Sequence, residues 1–341
     1  MKNVQLGNTD LEIKPIFFGG NVFGWTLNEE ESFRILDGFL DRGFNAIDTA
    51  NNYSYWVEGN VGTESERIIG NWLKSRGVRD QIVLATKVGG RNMIQDKPNT
   101  TKAHILKEVE ESLIRLQTDY IDLYQLHWPE RKTNFFGQRG FKVQDDAWED
   151  NIHAVLETLN GFIQQGKIKH IGLSNETPWG IMRFLEESKY HNLPRIKTVQ
   201  NPYSLLNRLY ENGSAEIGIR ENVGLLAYSP MAFGVLSGKF LTGEAHPNAR
   251  INLFPQFSRY NSEQSAAATR LYNEIAQQNG LTLTQLALAF IEQQPFVTST
   301  IIGATTMEQL KENIDTINVT LSEELLQAID GVQAKIPDPA P

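Results

Sequence analysis

Cysteine is absent from the 341 residues. That excludes disulfides, thiolate nucleophiles and cysteine-ligated zinc or iron–sulfur centres. A basic surplus is also lacking, since the formal net charge is −9 and the pI ≈ 5.3. This balance argues against nucleic acid or an anionic membrane as the main partner, though it leaves room for a local basic pocket holding one phosphate-bearing ligand. No apolar run approaches the roughly 20 residues of a membrane helix, and Met1–Gly7 shows no hydrophobic core of signal-peptide type. A cytoplasmic protein is therefore expected.

Some familiar motifs are missing as well. The six histidines, His104, His127, His153, His170, His191 and His246, include no His-x-His, His-x-x-x-His or His-Glu-x-x-His spacing, so no metal site is expected. Gly19-Gly20-Asn21-Val22-Phe23-Gly24 does not fit the Gly-x-Gly-x-x-Gly turn of a doubly wound dinucleotide-binding sheet. The stretch Gly234–Lys239 is too short between its glycines for a P-loop and lacks the Ser or Thr after the lysine.

What is present is an alternation of short apolar runs with amphipathic stretches. A polar hairpin is expected over Val4–Ile13, turning at Gly7-Asn8. Apolar runs then end at Gly20, Asp48, Lys87, His127, Ser174, Asn201, Ser229 and Ile302. Short buried strands separated by helices imply a parallel sheet, and this many units over this length suit a (β/α)8 barrel. Capping boxes are expected at Asn28-Glu31, Thr63-Glu66 and Thr306-Gln309. No linker interrupts residues 1–341, so a single domain is expected, with residues 333–341 frayed. Two connections exceed ordinary barrel loops, 128–148 and 240–262, and their aromatic content suggests lids.

The polar residues at the strand ends carry the chemistry. A barrel gathers such residues at the C-terminal rim, which would bring Asp48, Tyr53, Lys87 and His127 together. A phenol has a pKa near 10, too high for easy proton delivery at neutral pH. A nearby Lys87 ammonium, kept charged by Asp48, is expected to lower the pKa of Tyr53, while His127 orients a substrate oxygen. Delivery of a proton to a carbonyl oxygen fits this set. A Schiff-base lyase or aldolase using Lys87 remains open. The glycine-led entry Gly303–Thr306 into a helix could hold a phosphate, although taken alone an ordinary strand–helix connection is the better explanation.

These residues lie in segments that resemble the aldo-keto reductase superfamily along nearly the whole chain. Asn45-Ala46-Ile47-Asp48-Thr49-Ala50 with Tyr53, Arg115 to His127, and Gly166 to Asn175 are similar to family signatures. Trp128-Pro129 with the insertion after it, and Gln200 to Arg208, resemble the bacterial Tas-type branch, related to potassium-channel β-subunits. The resemblance implies a (β/α)8 barrel that binds NADPH and acts on a small-molecule carbonyl substrate. It implies a catalytic tetrad of Asp48, Tyr53, Lys87 and His127. Ser174, Asn175 and Gln200 would hold the nicotinamide carboxamide, with Tyr228 stacked on the ring. Gly20 and Asn21 would join Asp48 on the cofactor side. Ser229, Pro230, Met231 and Gly234 would cover the pyrophosphate, and Gly303, Thr305, Gln309, Glu312 and Asn313 would meet the adenosine end.

One departure concerns the 2′-phosphate. Many members carry cations after the eighth strand, where this chain has Ile302-Gly303-Ala304 and Gln309. In the channel-subunit-like branch a lysine and an arginine from the preceding loop serve instead, and Lys239 and Arg250 match them. NADPH is expected, with NADH not excluded. Trp25, Trp56, Trp128 and Phe135 are the expected substrate wall. The same branch also admits a redox-sensing protein of slow turnover. Oligomeric state is left open.

Overall fold

A computed structural model describes residues 3–90, 99–134, 136, 138–141, 148–244, 246–247, 249–253 and 259–341. Strands β1 (Val4–Gln5) and β2 (Glu12–Ile13) form the antiparallel hairpin. Eight parallel strands close into a barrel. They are β3 (Ile16–Gly19), β4 (Ala46–Asp48), β5 (Val83–Val88), β6 (Ile121–Leu126), β7 (Ile168–Ser174), β8 (Thr198–Pro202), β9 (Gly224–Tyr228) and β10 (Val297–Ile302). β10 pairs with both β9 and β3 and so completes the ring. This is the (β/α)8 barrel expected from the strand count.

The hairpin explains why only one end of the barrel is available for chemistry. Leu6, Leu11 and Ile13 pack against the inward residues Phe17, Ala46, Val83, Ala85, Leu123, Leu226 and Ile301. The N-terminal end is thereby plugged with apolar side chains, and the polar rim lies at the other end. A larger apolar layer fills the space between strands and helices. None of the helices among the described residues is long and apolar enough to cross a membrane.

The helix entries follow their sequence signals unevenly. Asn28 and Glu31 form the expected capping box for Glu29–Asp41. Thr63 makes no side-chain cap for Glu64–Arg76, because Glu66 is drawn into the core. There its carboxylate accepts from Thr86 Oγ1 at 2.6 Å and from Arg115 Nε at 2.6 Å. Thr306 accepts from Gln309 N, yet the Gln309 side chain serves Thr305 N instead of closing the box.

The C-terminal tail also departs from expectation. The helix Glu323–Lys335 continues through residue 333, and the chain beyond it is packed where fraying was expected. Ala340 is fully buried and donates from its amide to Leu206 O at 3.0 Å. Asp338 Oδ1 accepts from Arg208 N at 2.6 Å. A proline-rich end without side-chain bulk can still dock when neighbouring backbone groups lack partners.

Candidate active site

Strand periodicity of two builds the floor of the site. Ala46 and Asp48 point inward on β4, as do Val83, Ala85 and Lys87 on β5, and Leu123 and Gln125 on β6. The lower members of each set form the apolar plug, and the upper members are polar. The strand register places Lys87 beside Gln125, Gln125 beside Gly172, and Ser174 beside Gln200. A side chain at Gly172 would collide with Thr198, its ideal Cβ lying 2.5 Å from Thr198 Oγ1, so glycine keeps the barrel interior open there.

Lys87 is fully buried, and its ammonium has three partners. Nζ lies 2.6 Å from Asp48 Oδ2, 2.8 Å from Thr49 O and 2.7 Å from Tyr53 Oη. An ammonium has three N–H donors and no acceptor. Lys87 therefore donates to the Tyr53 oxygen, and the phenolic hydrogen must point elsewhere. Asp48 Oδ1 accepts from Gln125 Nε2 at 3.0 Å and Gln200 Nε2 at 2.8 Å. Asp48 is thus braced from three other strands of the barrel.

The electrostatics differ from the sequence reading in one respect. Burial pushes the Tyr53 pKa well above its ordinary value, and the Asp48 charge pushes in the same direction. The Lys87 ammonium does not lower it as expected, because Asp48 neutralises that charge and desolvation opposes the phenolate. Burial also lowers Lys87, against the pull of Asp48. His127 falls well below the usual imidazole range through burial and the nearby Lys87 charge. The site holds a protonated phenol and a neutral imidazole.

His127 stands beside Tyr53 with ring centroids 5.8 Å apart. Its Nδ1 is buried without a hydrogen-bond partner. Gly90 permits this placement, for an ideal Cβ there would lie 2.7 Å from Nδ1. Asn175, in the left-handed region at φ 55°, donates from Nδ2 to His127 O at 2.9 Å and to Ser174 Oγ at 3.2 Å. Tyr228 donates its hydroxyl to Asn175 Oδ1 at 2.6 Å, and burial raises its pKa. The tetrad and the expected nicotinamide residues therefore form one connected rim. Gln200 serves this rim from below.

The segment after β9 is bent by a run of positive φ values. Ser229, Ala232, Phe233 and Gly234 stand at 53°, 47°, 55° and 90°. Three of these are not glycine, and such conformations persist only where the surroundings enforce them. Pro230 and Met231 lie within this turn, and Met231 O accepts from Gly234 N and Leu236 N at 2.8 and 3.2 Å. Lys239 follows, its pKa lowered by burial and by the Arg250 charge. Burial pulls Arg250 down to about 10. Two mutually repelling, partly buried cations suit a ligand carrying phosphate groups. Arg250 reaches further inward than a 2′-phosphate role alone requires, lying 4.9 Å from the Trp25 ring centroid and 5.1 Å from that of Phe233.

The remaining expected cofactor residues spread along the rim. Gly20 and Asn21 occupy a short 3-10 turn after β3, and Gly20 O accepts from Ser65 Oγ at 2.7 Å. Gly303 O accepts from Asn313 Nδ2 at 3.2 Å, and Thr305 Oγ1 donates to Gln309 Oε1 at 3.1 Å. Glu312 accepts from Thr282 Oγ1 at 2.8 Å. These groups hold one another at the helix entry after β10.

Of the residues expected to form a substrate wall, Trp25, Trp56 and Trp128 lie near Tyr53 and His127. Trp25 and Trp56 meet edge-to-face at 5.4 Å, and Trp56 lies 6.1 Å from Tyr53. Trp128 stacks on His127 at 6.0 Å and meets Phe136 at 4.8 Å. Phe135 lies outside the described residues. Phe136, Phe233, Arg259 and Gln125 were not singled out in the sequence. Gln125 sits inside an apolar run, and only the strand phase could have signalled it. The histidine spacing also hid a convergence in space. His153, Glu187 and His191, from two neighbouring helices, bring ligand-type atoms within 4.8 Å of one another. Arg183 pairs with the same Glu187, so the cluster reads as an ion-pair lattice.

Residues 15–334 match the Aldo/keto reductase family. The chain is 42% identical over its full length to the full length of a protein named tas from Escherichia coli. It is 31% identical, over 97% of its length and 96% of the relative, to an oxidoreductase named YrpG from Bacillus subtilis. A norsolorinic acid reductase from Emericella nidulans is 28% identical over 94% of this chain and 78% of its own. With the closed barrel, the connected rim and this coverage together, the chain belongs to the aldo/keto reductase family of oxidoreductases.

Proposed function

We propose that this oxidoreductase reduces an aldehyde or ketone with NADPH, using Tyr53 as the proton donor. The observation that carries the reading is the commitment of the Lys87 ammonium to Asp48, Thr49 O and Tyr53 Oη. It leaves the Tyr53 hydrogen free to meet a substrate oxygen. When bound, the reduced nicotinamide supplies the hydride that reduces the carbonyl carbon.

The residues of this chain then have separate tasks. His127, as a neutral imidazole, can donate one N–H to the carbonyl oxygen and fix its direction. Tyr53 passes its proton to that oxygen as negative charge builds there. Lys87 donates to the phenolate left behind, and Asp48 holds Lys87 in place. Ser174, Asn175 and Tyr228 would orient the nicotinamide, and the bent Ser229–Gly234 segment would cover the phosphates. Lys239 and Arg250 favour the extra phosphate of NADPH over NADH. A lyase role for Lys87 is disfavoured, since a fully buried ammonium with all donors engaged is a poor amine nucleophile.

Parallel fluorescence titrations with NADPH and NADH, followed by turnover of a panel of aldehydes, test the reading. Tight NADPH binding with aldehyde turnover that Tyr53→Phe abolishes is expected. Tight binding with no turnover of any carbonyl would favour a redox-sensing role.

A further inference from the structure

The aromatic wall closes into a ring. From Tyr53 the contacts run to Trp56, Trp25, Arg250, Phe233, Arg259, Phe136, Trp128 and His127, and back to Tyr53. Each step is a ring–ring contact or a guanidinium over a ring. Tyr53 and His127 are members of this collar, so a substrate carbonyl in reach of Tyr53 meets its rings.

Two members of the collar are cationic, and their situations differ. Arg250 is a neighbour of Lys239 and belongs with the cofactor cations. Arg259 is not tied to that pair. Its guanidinium lies 4.1 Å from the Phe136 ring centroid, 4.8 Å from that of Tyr260 and 5.6 Å from that of Phe233. Its Nε and Nη1 atoms are sealed from solvent and have no hydrogen-bond partner. Among the described residues, no carboxylate forms an ion pair with it. Among the described residues, the polar groups that face it are the hydroxyls of Tyr228 and Tyr260, which lie within hydrogen-bonding reach of the guanidinium.

An aromatic ring engages the face of a guanidinium, whereas the N–H donors point along its plane. Stacking on Phe136 therefore leaves Nε and Nη1, the two donors without a partner, available to an anion. A buried cation that no described carboxylate neutralises is unfavourable unless a ligand supplies the charge, in a protein whose net charge is −9. The negative field of the whole molecule would repel an anionic substrate, so such a substrate needs a local cation to be accepted.

We propose that Arg259 is a specificity residue that binds the carboxylate of the substrate, and that the preferred substrates are aromatic aldehydes or ketones bearing that group. The inference rests on the carbonyl-reductase reading above. The aromatic collar takes the ring, Tyr53 and His127 take the carbonyl, and Arg259 takes the carboxylate through a charge-assisted hydrogen bond.

The test compares 4-carboxybenzaldehyde with 4-methylbenzaldehyde, a neutral compound of similar shape, in the wild type, Arg259→Met and Arg259→Lys. The wild type should favour the carboxylated aldehyde in kcat/KM. Arg259→Met should lower the ratio of kcat/KM for the carboxylated over the neutral aldehyde by about 10- to 100-fold. Arg259→Lys should restore part of the loss. Titration of the NADPH complex with benzoate and benzamide reads anion recognition without turnover, so it holds even if no aldehyde is reduced. Equal losses for both aldehydes, weakened NADPH binding, or benzoate affinity unchanged in Arg259→Met would each overturn the assignment. Absence of turnover with all aldehydes, but Arg259-dependent benzoate binding, would instead count against the reductase reading alone.

Discussion

Lys87 Nζ lies 2.7 Å from the Tyr53 hydroxyl oxygen and donates to it. The direction of that hydrogen bond decides what Tyr53 can do, because an oxygen that accepts from an ammonium keeps its own hydrogen for another partner. Tyr53→Phe should therefore retain NADPH binding and lose about 10²- to 10⁴-fold in carbonyl reduction. Single-turnover absorbance of NADPH with a saturating aldehyde checks this, and unchanged turnover would remove Tyr53 from the mechanism.

The partner on the other side of Lys87 matters for the fold as well. Lys87→Met would leave Asp48 buried without its cation, at a cost of ~3 kcal/mol or more. A substantial fall in the urea midpoint should accompany the loss of activity. The double variant Lys87→Met with Asp48→Asn should recover much of the stability and none of the turnover.

Gly90 should behave as a placement residue for His127. Gly90→Ala would press a methyl group against Nδ1 and Asn52, shifting the imidazole. A decrease in kcat/KM of about tenfold or more is expected, with NADPH affinity preserved. Equal kinetics in this variant would mean that the imidazole position is not critical.

The depressed pKa of His127 makes a signed prediction for stability. The unfolded chain takes up a proton near pH 6.5, whereas the folded protein resists doing so until lower pH. Stability from this group is complete above pH 6.5 and falls as pH drops toward the folded pKa. The slope is at most about 1.4 kcal/mol per pH unit. Urea unfolding of the wild type and His127→Gln between pH 4.5 and 7.5 should show a shallower acid decline in the variant.

The packed C-terminus predicts a further stability effect. Removing residues 337–341 takes away the partners of Arg208 N and Leu206 O. A loss of roughly 1–3 kcal/mol is expected, read as a lower Tm, and a truncated protein of unchanged Tm would show the tail to be idle.

How much of this was visible beforehand depended on whether a residue announces itself locally. The strand ends did, since an isolated Asp48 or Lys87 after an apolar run breaks a pattern, and the barrel topology then dictates that such breaks converge. Gln125 did not, because a glutamine flanked by Tyr124 and Leu126 looks like an ordinary strand position until the phase of β6 is known. Glu66 imitated a capping residue and was captured by Arg115, a partner about fifty positions away in sequence whose nearness depends on helix packing. His153 and His191 lie on different helices, so a search for ligand spacing along one helix passes over them. Arg259 falls in a loop without periodicity, and only the rings around it give its position meaning. Local chemistry was legible; encounters between distant segments were not.

The collar and the floor come from different parts of the chain. Asp48, Lys87, Gln125 and Gln200 belong to barrel strands, whereas Trp25, Trp56, Phe136, Phe233 and Arg259 belong to connections. Reactivity and selectivity are thus encoded in segments that can change independently. Exchanging the connections after β6 and β9 between relatives should transfer substrate choice while the proton-delivery apparatus stays as it is. A descendant of this scaffold could take up a new carbonyl compound without relearning how to reduce one.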